Sequence, residues 1–175
     1  MLKSFLAVAI GAALFVAGFA LAAQQKDAYK LTANLKARFE VPKPTGVRVG
    51  ATGLFSGTAV EQSNDRARLS WRLTFSKLSG LAIAAHIHVG RVGKAGAVMV
   101  PLCGPCRSGQ RGTTTISHRQ LRSIELGRTY VNVHTAKNAG GEIRGQVKAS
   151  ETSGGDDGGT TSGPTETTTT TTPYP

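Results

Sequence analysis

Acidic residues are scarce in this chain: ten Asp and Glu stand against 21 Lys and Arg, and only six of the ten lie between residues 26 and 149. Hydrolytic mechanisms that need two paired carboxylates therefore have few candidates. Aromatic residues make up only 6 % of the chain, with a single tryptophan, so no basic surface interleaved with exposed aromatics is available to hold a nucleic acid. Cysteine is confined to Cys103 and Cys106, which leaves no odd thiol if the two pair. No Gly-x-Ser-x-Gly elbow, phosphate loop or dinucleotide fingerprint occurs. The one long hydrophobic run is at the N-terminus, and no second one follows it.

That run, Phe5 to Ala23, holds only apolar residues and glycine, comes after Lys3 and ends in Ala20-Leu21-Ala22-Ala23. These are the features of a secretory signal peptide over residues 1–23, with cleavage expected after Ala22 or Ala23 and no transmembrane segment left afterwards. A retained anchor is the competing reading, since 19 residues just suffice to span a bilayer. No cysteine sits at the junction, which argues against a lipid anchor. At the other end, residues 150–175 carry Thr, Gly and Ser with no aliphatic side chain to bury, and are expected to be a disordered tail. The folding unit is then residues 28–149, long enough to hide roughly two-thirds of its unfolded surface without a structural metal or many disulfides.

Within that unit the hydrophobic pattern has period two, the mark of strands with one buried face. Residues 30–39 alternate Leu31, Ala33, Leu35, Ala37 and Phe39 against polar partners, and residues 66–75 alternate Ala67, Leu69, Trp71, Leu73 and Phe75 against Arg66, Arg68, Ser70, Arg72 and Thr74. A strand at 51–60 is interrupted by glycines that suggest a bulge or a tight bend. Asn64-Asp65 reads as a turn. Further strands are expected at 81–89, 97–102, 113–116, 129–135 and 142–148. One short helix should begin at Ser117, where Gln120 completes a capping box, and stop at Gly127. The expected fold class is all-β, an antiparallel β-sandwich or flattened Greek-key barrel with one short helix.

Three stretches carry a family resemblance: AAHIHVGRVGKAGAVMVPL at 84–102, CGPC at 103–106 and TYVNVHTAKNAGGEIRGQV at 129–147. Together with LTANLKARFEVP at 31–42 they resemble the chordin-type (CHRD) domain over nearly the whole folding unit. The resemblance implies a β-rich extracellular module, repeated in vertebrate chordins and single in many bacterial exported proteins. It does not imply growth-factor binding, because the cysteine-rich modules that accompany the domain in chordins are missing here.

His86 and His88 leave one face of a strand, with Ile83, Ala85, Ile87 and Val89 expected on the core side. Asn132 and His134 share a face of a later strand. If the two strands are neighbours, three imidazoles converge and can hold copper or zinc with an open position. The stretch AHIHVG is also similar to the His-x-His copper strand of copper/zinc superoxide dismutases. No zinc-loop histidines with an aspartate follow, and only His134 could match a remaining copper ligand, which argues against dismutase activity. The plainer alternative is that the histidines hydrogen-bond across strands, to Glu142 or to backbone carbonyls. Glu142 and Arg144 are expected as a structural ion pair, or with Asn132 as groups that orient the cluster. His118, in the helix, reads as a surface residue.

Cys103-Gly-Pro-Cys106 has the letters of a thioredoxin motif, but no tryptophan precedes it and Arg107-Ser-Gly-Gln-Arg-Gly after it cannot start a stable helix. Outside the cell a loop-stapling disulfide is expected instead. Charge completes the picture, with +14 over residues 26–149 and −4 over 150–175. Such a surface fits polyanionic wall polymers, acidic glycans or lipid head groups, or else serves only solubility. The expectation is a secreted or cell-wall-associated, non-catalytic binding module with an extracellular or envelope ligand, and the alternative is a copper- or zinc-binding protein.

Overall fold

The structure, a computed structural model, describes residues 26–62 and 64–152. The expected signal peptide and most of the expected tail lie outside the described residues. Among the described residues, nine strands form one antiparallel sheet: β1 Ala28–Lys36, β2 Thr52–Gln62, β3 Arg66–Ser76, β4 Ala82–Val89, β5 Val98–Cys103, β6 Gln110–Ser117, β7 Thr129–Thr135, β8 Ile143–Gln146 and β9 Lys148–Glu151. Their order is β5-β4-β7-β8-β1-β2-β3-β6, with β9 also paired to β1. The sheet curls until it is nearly closed, so the architecture is the flattened-barrel form of the expected all-β fold. The chain from β5 to β6 runs between the two sheet edges: Cys106 N donates to Ala82 O at 2.9 Å and Gly109 N to Leu73 O at 2.8 Å. The Cys103–Cys106 disulfide staples that crossing.

Period-two alternation places the core as the sequence suggests along β3, where Ala67, Leu69, Trp71 and Leu73 are buried. They meet Leu31, Leu35 and Phe55 inside the barrel. Helix α1, His118–Glu125, has the Ser117 and Gln120 capping box in place and turns Leu121 and Ile124 inward. It ends at Gly127, whose φ of +63° suits a residue without a Cβ. Asn64 and Asp65 both take positive φ and turn β2 into β3.

Four local expectations are corrected. β1 stops at Lys36, and Ala37–Phe39 is a 3-10 turn, because the approach to Pro42 and Pro44 ends pairing; Phe39 is consequently 43 % exposed. β2 has no bulge and pairs in continuous register with both β1 and β3. The register shifts fall instead in β4, at Ala85/His86 and Ile87/His88 against β5 and between Ala82 and Ala84 against β7. The last strand is split into β8 and β9 around buried Val147, and β9 carries the fold through Ser150 and Glu151, past the expected tail boundary.

Candidate functional site

β4 and β7 are neighbours, with Ala84 opposite His134, His86 opposite Asn132 and His88 opposite Tyr130. Partners in an antiparallel register share a face, so the three imidazoles stand together. Their ring centroids are 4.9, 5.5 and 6.0 Å apart, and one ring nitrogen of each lies within 4.8 Å of the others. The shifts along β4 re-aim its side chains, as bulges do. Ala85 and Ile87 face the core, but Ile83 and Val89 do not; each is 44 % exposed.

This face of the sheet is itself covered, and every residue of β7 is buried. The cover is made of loops whose carbonyls take the histidines' outer nitrogens: His88 Nδ1 lies 2.9 Å from Gly96 O, and His134 Nδ1 lies 2.9 Å from Ala139 O. Each carbonyl can only accept, so each Nδ1 carries a proton, and Nε2 is the nitrogen of each ring that can offer a lone pair to a ligand. His88 Nε2 is buried without a partner, and His134 Nε2 lies 3.1 Å from His86 Nδ1. Burial, followed by the neighbouring imidazoles, lowers the pKa of His86; burial also lowers that of His134, against the upward pull of its bond to Ala139. Neutral imidazole is therefore favoured at both. Tyr130 stacks on His88 at 4.9 Å and accepts a hydrogen bond from Gly96 N at 3.2 Å.

The other expected site residues take different parts. Glu142 and Arg144 do not pair. The Glu142 carboxylate accepts from Ser79 N at 2.6 Å, Ser79 Oγ at 2.5 Å, Thr135 Oγ1 at 2.6 Å and Asn138 Nδ2 at 3.3 Å, which leaves it no reach toward the guanidinium or an imidazole. Burial pulls its pKa up, and these donors outweigh burial so that the net direction is down. Arg144 instead lies over Tyr130, 3.3 Å from the ring centre, and donates to Arg91 O and Lys94 O at 3.1 and 2.8 Å. Asn132 makes no hydrogen bond to a histidine among the described residues; its side chain faces Glu40. Gly141 at φ +129° lets that pair close up, since a Cβ there would sit 2.5 Å from Glu40 Oε2 and 2.8 Å from Asn132 Nδ2. His118 is a surface residue, 56 % exposed and 3.5 Å from Glu61.

Tyr130 and Glu40 were missed from sequence. Tyr130 was within reach, being two residues before Asn132 on the same strand face, whereas Glu40 is a lone acid in a proline-bounded loop with no periodic signal.

Compared with known proteins, residues 31–147 match the model of the CHRD domain. No curated protein and no solved structure matches the chain. The matched residues run from β1 to the end of β8, taking in the histidine cluster and both loops that cover it, and the chain belongs to the CHRD domain family.

Proposed function

We propose that this protein is an exported, non-catalytic binding module that holds one copper or zinc ion through His86 Nδ1, His88 Nε2 and His134 Nε2. The observation that supports this most is the oriented donor set: one nitrogen from each ring within 4.8 Å of the others, two of the rings locked through Nδ1 by backbone carbonyls. A carbonyl behind a ligating histidine is the usual outer support of a metal site. Nitrogens at about 2.0–2.1 Å from a tetrahedral ion would be about 3.4 Å apart, so modest ring rotations complete the site. Three nitrogens leave a position open for an exogenous ligand. Cross-strand bonding without an ion accounts for the contact between His86 and His134, but leaves His88 Nε2 buried and unpaired.

Export, to the cell surface, the wall or the medium, follows from the N-terminal run, and the excess of basic side chains favours an anionic envelope component as the wider partner. The test is elemental analysis and metal titration of the chain recovered outside expressing cells, where it should begin after Ala22 or Ala23. One ion per chain is expected, with affinity falling at least about 100-fold in His88→Ala and His134→Ala. Absence of bound metal at micromolar copper or zinc, or uptake unchanged in both variants, overturns the reading.

A further inference from the structure

Every second residue of β3 from Arg66 to Arg72 is exposed, and with their partners on β9, β1, β2 and β6 these side chains make the outer face of the sheet on the side away from the histidines. Two cross-strand rows run over it. In one, Lys30 is opposite Thr58, Thr58 opposite Ser70 and Ser70 opposite Thr113; in the other, Ser56 is opposite Arg72 and Arg72 opposite Arg111. Between the rows, Leu31, Gly57, Trp71 and Gly112 turn inward and show this face only their backbone. The result is an open groove of about 750 Å³ running across four strands.

The groove is basic throughout. Lys30, Arg68, Arg72, Arg111 and Lys148 are exposed, and none of them has a carboxylate within ion-pair distance among the described residues. No Asp or Glu stands at an outward position of these five strands among the described residues. Arg72 and Arg111 are directly opposite, with Cβ atoms about 5 Å apart, a like-charge pairing that costs stability until an anion lies between them. The walls otherwise offer hydroxyls, among them Ser70 Oγ and Thr113 Oγ1, 3.4 Å apart.

This chemistry selects among anions. Lys and Arg only donate, and the carbonyls of a strand paired on both sides are taken by the ladder, so a ligand made of acceptors fits best. A phosphodiester unit has acceptor oxygens alone, whereas an acidic glycan brings many hydroxyl donors and meets few fixed acceptors. No aromatic residue stands at an outward position to stack on a base or sugar ring. Leu54 and Val60 are too little apolar surface to enter a bilayer. From β1 to β6 the groove crosses about 14 Å, room for several repeats of a linear chain.

We propose that this groove docks a linear phosphodiester polymer with short polyol links, one phosphate held between Arg72 and Arg111 and another at Lys30, with Ser70 and Thr113 donating along it. The proposal locates the anionic envelope partner named above and rests on that reading.

Calorimetric titration of the full chain, purified and freed of metal, with synthetic poly(glycerol phosphate) tests it, beside poly-L-glutamate of equal charge and phosphatidylglycerol vesicles. Export and metal uptake do not enter this assay, so they stand or fall separately. Saturable binding of the polymer is expected at micromolar concentration, at least about tenfold tighter than polyglutamate. The exposed triple variant Lys30→Gln/Arg72→Gln/Arg111→Gln should weaken it at least about tenfold and make log affinity against log salt shallower by about 2–3. Arg91→Gln/Lys94→Gln/Arg128→Gln removes as many exposed charges from the loops beside β4 and β7, and should change the affinity less than about threefold. No saturation by about 1 mM polymer, equal affinity for polyglutamate, preference for the vesicles, or effects that do not differ between the two triple variants would each overturn the proposal.

Discussion

Glu40 is the side chain on which burial acts most visibly. Its pKa is pushed up to about 7, above the ordinary carboxylate range, because burial outweighs the opposing pulls of the Val41 amide, Arg144 and Asn132. Between the ordinary value near 4.5 and about 7, the folded chain holds a proton that the unfolded chain has released. The stability this confers is complete at low pH and is lost as pH rises through 7. His86 and His134 titrate with the opposite sign, since their pKa values are lowered, so their share of stability is lost as pH falls below the ordinary histidine value. Comparing Glu40→Gln with wild type cancels the histidine part. The melting temperature of the variant relative to wild type should rise from pH 5 to pH 8 by roughly 4–8 °C, corresponding to about 1–2 kcal/mol once relaxation around the buried carboxyl is allowed for. A difference that stays flat with pH would remove the buried-proton account of Glu40.

Among the elements, the turn between β7 and β8 holds the cluster most directly, because its Ala139 carbonyl fixes the ring of His134. The latch on this turn is Glu142, which gathers four donors from Ser79, Thr135 and Asn138. Asn138 in turn bonds Thr45 in both directions, at 2.9 and 3.2 Å, and so ties the turn to the loop after β1. Glu142→Ala strands those donors and should cost about 3 kcal/mol in urea unfolding, with metal affinity falling even where the variant remains folded. A loss below about 0.5 kcal/mol would show that the latch carries little. The strands were legible in the sequence because one-sided burial imposes period two, and the helix because its capping box is a local pattern. The latch was not. Ser79, Asn138 and Glu142 are scattered through turns, and the partner of a carboxylate in a covered loop is set by tertiary packing that no spacing encodes. The same reason explains the expected pairing of Glu142 with Arg144, which placed two residues on one strand face without knowing what lay above it.

For the whole molecule, the barrel divides its labour between two surfaces of one sheet. The inner surface is a conventional apolar core around Phe55, Trp71 and Ile87. Over β4, β7 and β8 the outer surface is also buried, under loops, and is filled with His, Tyr, Asn, Arg and Glu. Convergence of the histidines was legible as a conditional, since His-x-His and His134 each gave a face, and adjacency of β4 with β7 joined them. The cover over that face was not legible, because the loops that make it are glycine- and proline-rich and carry no hydrophobic period. A polar interior of this kind is held in place by barrel and loops together, so its chemistry belongs to the intact domain. The most direct check is an anomalous difference map from crystals of the intact chain grown with one equivalent of copper or zinc. A single strong peak about 2.0–2.1 Å from His86 Nδ1, His88 Nε2 and His134 Nε2 is the predicted result; a map with no peak among those three rings, or with its main peak elsewhere, would contradict it.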